Sequence, residues 1–211
     1  MSEEKTLCYV HDPMCSWCWA FRPTLTKVLA NLPTDINVKY IVGGLAPDTD
    51  TPMDQATQDM IQHHWHTIIQ RVPGTPFNFD FWTLNTPKRS TYPACRAVLA
   101  AKKQDPTQED AMILAIQQAY YLQAKNPSEE NTLIDCAVAI GLNAKQFKKD
   151  LHDPHTQEQL LKDIQQAQTL NVTGFPSLVL LINNQAIPIA IDYIDAKFIN
   201  AQVNQALNMS Y

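Results

Sequence analysis

The β-prone segments of this chain lie only at its two ends, and residues 54–170 between them read almost wholly as helix. Near the N-terminus, Thr6 to Val10 is short, apolar and rich in strand formers, and Ile36 to Val42 is a second such run, closed by Gly43-Gly44. Between them a helical pattern opens at Cys15 or Ser16 and runs to about Asn31. Pro23 inside it predicts a kink, because proline removes a backbone donor. Near the C-terminus, Pro176 to Ile182 is the nearly continuous apolar run of a buried strand. Asn183-Asn184 reads as a hairpin turn and Ala186 to Ile191 as its partner strand, on an edge because of Pro188. Asp195 to Leu207 closes as a helix. The order is β-α-β, a block of helices, then β-β-α. It predicts one α/β domain built from residues 1–46 and 160–211, with residues 47–159 as an inserted helical domain.

Within the block, helices are expected over Asp54 to Arg71, Pro93 to Lys103, Thr107 to Ala124, Glu129 to Ile140, Asn143 to Leu151 and Thr156 to Leu170. Met112, Ala115, Ile116, Ala119 and Tyr120 share one helix face, and Thr107 with Asp110 resembles a capping signal. Pro73 to Leu84 is aromatic and proline-rich, as in a packed loop. Trp65, Trp82, Phe77, Phe79 and Phe81 read as packing residues.

Of the 211 residues, 45% are apolar, enough for a sizeable core without covalent staples. A net charge of −5 with no basic stripe argues against a nucleic-acid binder. Met1-Ser2-Glu3-Glu4-Lys5 lacks the pattern of a secretory signal, and runs such as Leu178 to Ile182 are too short to span a bilayer. The expectation is a cytoplasmic protein with no membrane partner, as a monomer or a homodimer. Five cysteines are too few, and odd in number, for a disulfide framework. Cys8, Cys95 and Cys136 fall in strand or helix patterns and read as small buried hydrophobes.

Cys15 and Cys18 are different, because they form a Cys-x-x-Cys where a strand gives way to a helix. Unpaired N–H groups and the helix dipole at that point favour a negative sulfur on the first cysteine. Two intervening residues let the second thiol fold back over one turn and resolve a mixed disulfide. Zinc binding would need two more ligands, and no second pair of suitable spacing exists. His63, His64 and His66 read as a polar helix face instead. Val172-Thr173-Gly174-Phe175-Pro176 places a proline at the mouth of the apolar strand, which is costly unless it serves a turn, often as a cis peptide; alone it would read as an ordinary trans proline, and the distant Cys-x-x-Cys turns the reading to cis.

These features together resemble the DsbA-like branch of the thioredoxin superfamily, in particular its leaderless, FrnE-like members. The matching residues are Met14-Cys15-Ser16-Trp17-Cys18-Trp19, Gly43-Gly44-Leu45, Ala94-Cys95-Arg96-Ala97 and Thr173-Gly174-Phe175-Pro176-Ser177. The resemblance implies an α/β thioredoxin fold with a large all-helical insertion and a thiol–disulfide oxidoreductase acting on protein or small-thiol substrates. It implies Cys15 as nucleophile, Cys18 as resolving thiol and Pro176 as a cis-proline. Phe175 would border the substrate through its backbone, and Trp17 would offer an exposed apolar platform. The redox-active Cys15–Cys18 pair would stand in place of a cofactor, with glutathione as a possible co-substrate and no metal. Alternatives are a kappa-type glutathione-dependent isomerase or transferase, in which a serine stands where Cys15 is, and a non-enzymatic metal-binding or chaperone module.

Two positions depart from the family pattern. Trp17 stands where periplasmic members carry a histidine that stabilises the thiolate. Tyr9 stands where many members carry a buried acid, six residues before the first cysteine. Asp12 and His11 are the nearby candidates for the proton acceptor that Cys18 would need.

Overall fold

A computed structural model describes residues 5–183 and 185–209. One four-stranded sheet has the order β2-β1-β3-β4, from β1 (Lys5–His11), β2 (Asn37–Val42), β3 (Ser177–Ile182) and β4 (Gln185–Ile189). β1 runs parallel to β2 and antiparallel to β3, with Tyr9 opposite both Tyr40 and Leu178. The N-terminal and C-terminal strands therefore meet at the centre of one sheet, although 134 residues separate the end of β2 from the start of β3. Pro188 does lie on an edge strand, where its missing N–H removes no ladder bond on the open side. The hairpin turn falls at Asn183, whose φ of 49° is in the left-handed region asparagine tolerates; Asn184 lies outside the described residues.

The period of two along β1 sorts its side chains. Leu7 and Tyr9 pack with Phe21, Leu25 and Val28 of α1 (Ser16–Leu29) and with Ile199 and Val203 of α9 (Ala196–Met209). Cys8 and Val10 face the other way, onto Ile41, Val179 and Ala167. α1 continues through Pro23 to Leu29 and does not end there.

Between β2 and β3 lie α2 (Gln55–Arg71), α3 (Phe81–Leu84), α4 (Tyr92–Gln104), α5 (Glu109–Tyr121), α6 (Glu130–Ala139), α7 (Ala144–Leu151) and α8 (Pro154–Thr169). α4 is the axis of this block. Its Ala94, Cys95, Ala97, Ala100 and Ala101 are buried, and side chains that small let neighbouring helices approach closely. α8 runs unbroken across residue 160 and packs on both α4 and β2. The stretch expected as a loop contains the single turn α3. The capping signal is displaced as well. Asp105, not Thr107, accepts from the backbone, and a 3-10 turn over Pro106–Gln108 precedes α5. The Thr107 hydroxyl is itself a donor to the Asp105 carboxylate, at 2.8 Å, a charge-assisted bond that holds it away from the helix start. Among the described residues no helix is long and apolar enough to cross a membrane.

Candidate active site

Cys15 is the N-cap of α1, with extended φ and ψ of −79° and 114°. Its sulfur accepts from the Cys18 backbone N–H at 3.4 Å, so the helix start points a donor at it. The Cys15 thiol also donates to the Phe175 carbonyl at 3.4 Å, and the Phe175–Pro176 peptide bond is cis. Two segments 160 residues apart thus meet at one sulfur. Gly43 is what permits this approach. A Cβ there would fall within the Phe175 ring, so only glycine leaves room for it. Gly44 turns the chain at a φ of 62°.

Cys15 is 6% exposed and Cys18 is 0% exposed, so of the pair only the first meets solvent. Burial pushes the Cys18 thiol well up, and the hydrogen bond and charge of Cys15 add to that. Both cysteines are free thiols. The buried side of the pair carries an unusual number of polar groups. The Tyr9 hydroxyl, raised mainly by burial, makes a side-chain hydrogen bond with Cys18. Tyr121, from the end of α5, is also buried close enough to feel the charge of both cysteines, and its hydroxyl has no hydrogen-bond partner among the described residues. His11 stacks on Tyr9 at 5.0 Å, with both ring nitrogens buried and unpartnered among the described residues. Burial, then the charge of Arg22, lowers its pKa to about 3, which keeps the ring neutral.

Asp12 holds the redox loop in place. Its carboxylate accepts from Met14 N at 2.8 Å, Leu45 N at 2.7 Å, the Thr91 hydroxyl at 2.6 Å and the Cys95 thiol at 3.5 Å. Its backbone carbonyl accepts from Cys15 N at 3.0 Å. Burial raises its pKa, and those hydrogen bonds pull it back. One side chain therefore ties the cysteine loop to the Gly43-Gly44-Leu45 turn and to α4.

A cavity of about 200 Å³ opens beside Cys15. Cys15, Trp17 and Phe175 form one wall, and Met53, His64 and Tyr120 belong to the helical block opposite. Trp17 is half-buried, tilted against Tyr193 at a ring distance of 5.1 Å, and so is less exposed than its place between two cysteines suggests. Trp65, Phe77, Phe81, Tyr120 and Tyr121 form an aromatic cluster behind the cavity.

The geometry thus brings Cys15, Cys18, Trp17, Phe175 and Pro176 to one place. Cys8, Cys95 and Cys136 are buried, but Cys95 is more than a small hydrophobe because its thiol bonds Asp12. Sequence reading missed Thr91, Cys95 and Tyr121 as neighbours of the motif. Only the Ala94-Cys95-Arg96-Ala97 segment had drawn notice, and spacing gives no sign of what it touches. His63, His64 and His66 ride on α2 as expected, yet His64 shares the cavity with Cys15 and His66 stacks on Phe79 at 4.5 Å. Among the described residues no three His, Cys, Asp or Glu side chains group as a metal site.

Comparisons with known proteins agree with this geometry. A curated relative, the ClpXP adapter protein SpxH of Halalkalibacterium halodurans, is 29% identical over 177 residues. That match covers 82% of this chain and 57% of the relative. The SpxH of Bacillus subtilis is 24% identical over 168 residues, 79% of this chain and 55% of the relative. The chain thus spans little more than half the length of these curated relatives. Among solved structures, a candidate protein disulfide isomerase from Nitrosomonas europaea superposes with a TM-score of 0.88 at 27% identity, over 98% of this chain and 99% of the other. The cytosolic disulfide reductase DsbM from Pseudomonas aeruginosa has the same fold, with a TM-score of 0.76 at 24% identity over 97% and 99% of the two chains. A family model described as Thioredoxin matches residues 9–191, from the middle of β1 to just past β4. With that match across most of its length, this chain belongs to the thioredoxin family, and its fold is the one its DsbA-like neighbours share.

Proposed function

We propose that this chain is a thiol–disulfide oxidoreductase that works through Cys15 and Cys18. One observation carries the reading: Cys15 caps α1 with its sulfur toward the Phe175 carbonyl, and Cys18 lies buried one turn behind it. Cys15 is the attacking sulfur because it alone of the pair meets solvent. The Cys18 N–H at the start of α1 donates to the Cys15 sulfur at 3.4 Å. Attack on a substrate disulfide forms a mixed disulfide with Cys15 and releases one substrate thiolate. Cys18 then attacks Cys15, the Cys15–Cys18 disulfide forms and the second substrate thiolate leaves. In the opposite direction the same steps reduce the protein.

The proton on Cys18 must leave during resolution. Tyr9, in hydrogen-bond contact with that thiol, stands where the family commonly has an acid; burial holds its hydroxyl protonated, so it steadies the sulfur and relays a proton and does not take one up. Asp12 acts as a fixed buried charge, since four donors already occupy its oxygens. The cysteine pair is the redox centre and requires no metal or organic cofactor. Small thiols such as glutathione suit the cavity, and DsbM has been solved with GSH. DsbM is a cytosolic reductase, and the likeness supports a cytoplasmic location for this chain.

The test is to incubate each variant with glutathione disulfide and weigh the adducts under non-reducing conditions. Cys18→Ser should accumulate a mixed disulfide on Cys15, and Cys15→Ser should form none. Turnover by Cys18→Ser equal to the parent would sink the dithiol mechanism and favour the monothiol, kappa-type reaction. A second reading, adapter activity without chemistry, rests on the name of the curated relatives. It predicts that a Cys15→Ser/Cys18→Ser chain keeps its whole biological effect.

A further inference from the structure

The cavity beside Cys15 is smaller than the roughly 300–1,000 Å³ of a drug-sized pocket, so its occupant is a moiety of a few residues. Its apolar lining includes Met14, Met53 and Met60. Three side chains able to carry positive charge also line it, His64, Lys88 and Arg89, and no aspartate or glutamate does. In a chain of net charge −5 this is a local reversal of sign. The cations are not equivalent. Lys88 is already paired, with Asp50 at 3.4 Å and Glu129 at 3.2 Å. Arg89 is exposed and has no carboxylate partner among the described residues. Its charge reaches Tyr120, another wall of the same cavity.

We propose that this cavity selects small disulfides and thiols that carry carboxylates, and that Arg89 is the group that holds the carboxylate. The inference rests on the reading of Cys15 as the attacking thiol. Guanidinium suits the role, because its fork of donors matches a carboxylate and it never loses its charge. In the reaction, the reduced Cys15 thiolate attacks one sulfur of the small disulfide, and the first acidic thiolate leaves. Buried Cys18 displaces the second acidic thiolate from Cys15, and its proton passes by way of the Tyr9 hydroxyl to that departing sulfur, which leaves as a thiol. The protein is oxidised by two electrons to the Cys15–Cys18 disulfide, and the small disulfide is reduced to two thiols.

The full chain, fully reduced, is mixed at low salt with glutathione disulfide, its tetraethyl ester, bis(2-hydroxyethyl) disulfide or cystamine, and its oxidation is followed by intrinsic fluorescence. Glutathione disulfide should react faster than its ester, and cystamine slowest. Arg89→Ala should lower the rate with glutathione disulfide about three- to fivefold, the range for an exposed ion pair, and leave the ester and the hydroxyethyl disulfide unchanged. Arg89→Glu should reverse the order of glutathione disulfide and cystamine. About 0.5 M salt should shrink the wild-type preference, because the Debye length falls to a few Å. Equal rates for glutathione disulfide and its ester in the wild type would overturn the proposal. So would an Arg89→Ala loss shared equally by all four compounds. Failure of every disulfide to oxidise the wild type would instead overturn the underlying oxidoreductase reading, so the two failures are distinguishable.

Discussion

The Thr91 hydroxyl donates to Asp12 Oδ2 at 2.6 Å, across 79 residues of sequence, and both residues are buried. The same hydroxyl oxygen accepts from Ala46 N at 3.1 Å. One threonine on the threshold of α4 thus anchors the carboxylate that holds the redox loop. Thr91→Val keeps the shape and removes both bonds, leaving a buried carboxylate oxygen and a buried N–H short of partners. The expected cost is about 1–3 kcal/mol, read as a lowered denaturation midpoint at unchanged slope. Thr91→Ser should retain most of the stability, and equal loss in both variants would mean that the methyl packing, not the hydroxyl, matters.

Gly43→Ala should reach the cysteines through Phe175. The added Cβ would overlap the Phe175 ring, so the ring and the loop carrying its carbonyl must move away from Cys15. We expect the rate of disulfide attack to fall tenfold or more. Adding Phe175→Ala removes the clash, so the double variant should recover part of that loss, a positive coupling between neighbours. Additive effects in stopped-flow kinetics would show that Gly43 acts some other way.

His11 makes the fold acid-sensitive. Its pKa falls from 6.5 unfolded to about 3 folded, so between those values the unfolded chain binds the extra proton. Stability is therefore full above pH 6.5 and is lost as pH falls toward 3. At about 1.4 kcal/mol per pH unit this amounts to about 5 kcal/mol over the window. His11→Phe keeps a ring on Tyr9 and removes the two unpartnered nitrogens. Its denaturation midpoint should depend less on pH than the parent's over pH 4–6, and parallel profiles would refute this account.

Alkylation should separate the thiols by burial and by how far each is held protonated. With the protein reduced near neutral pH, iodoacetamide should modify Cys15 first. Cys8 and Cys95, both at 0% exposure, should react only on unfolding, and Cys136, at 5% close to the 6% of Cys15, should lag because its thiol is held protonated. Burial raises all three thiols, Cys136 to about 11. Peptide mapping that finds any of them labelled as fast as Cys15 would contradict the burial pattern.

Local pattern along the chain made much of this architecture legible. Period-two and continuous apolar runs place β1 and β3 within a residue or two, because strand faces sort side chains by burial. Proline, glycine and polar caps bound the helices for the same local reason, as Asp54 and Asn143 show by capping α2 and α7. Thr107 misled because its hydroxyl donates to the carboxylate two residues earlier and so does not cap the helix.

The redox motif was likewise readable, since Cys15 and Cys18 need only the start of their own helix to be a reactive pair. What surrounds them was not. Phe175 lies 160 residues from Cys15 and Thr91 lies 79 from Asp12, and no local spacing encodes such meetings. They exist because β1 and β3 are neighbours in one sheet and because α4 and α5 fold back over the cysteine loop. By itself the sequence determined the elements, their order and the chemistry of the two thiols, all set by interactions within one or two turns. Only the tertiary structure decided that Tyr9 and Tyr121 lie near the buried thiol and that Arg89 lines the same cavity as Cys15. Those neighbours come from long-range packing, in which the burial of many side chains fixes the position of a few.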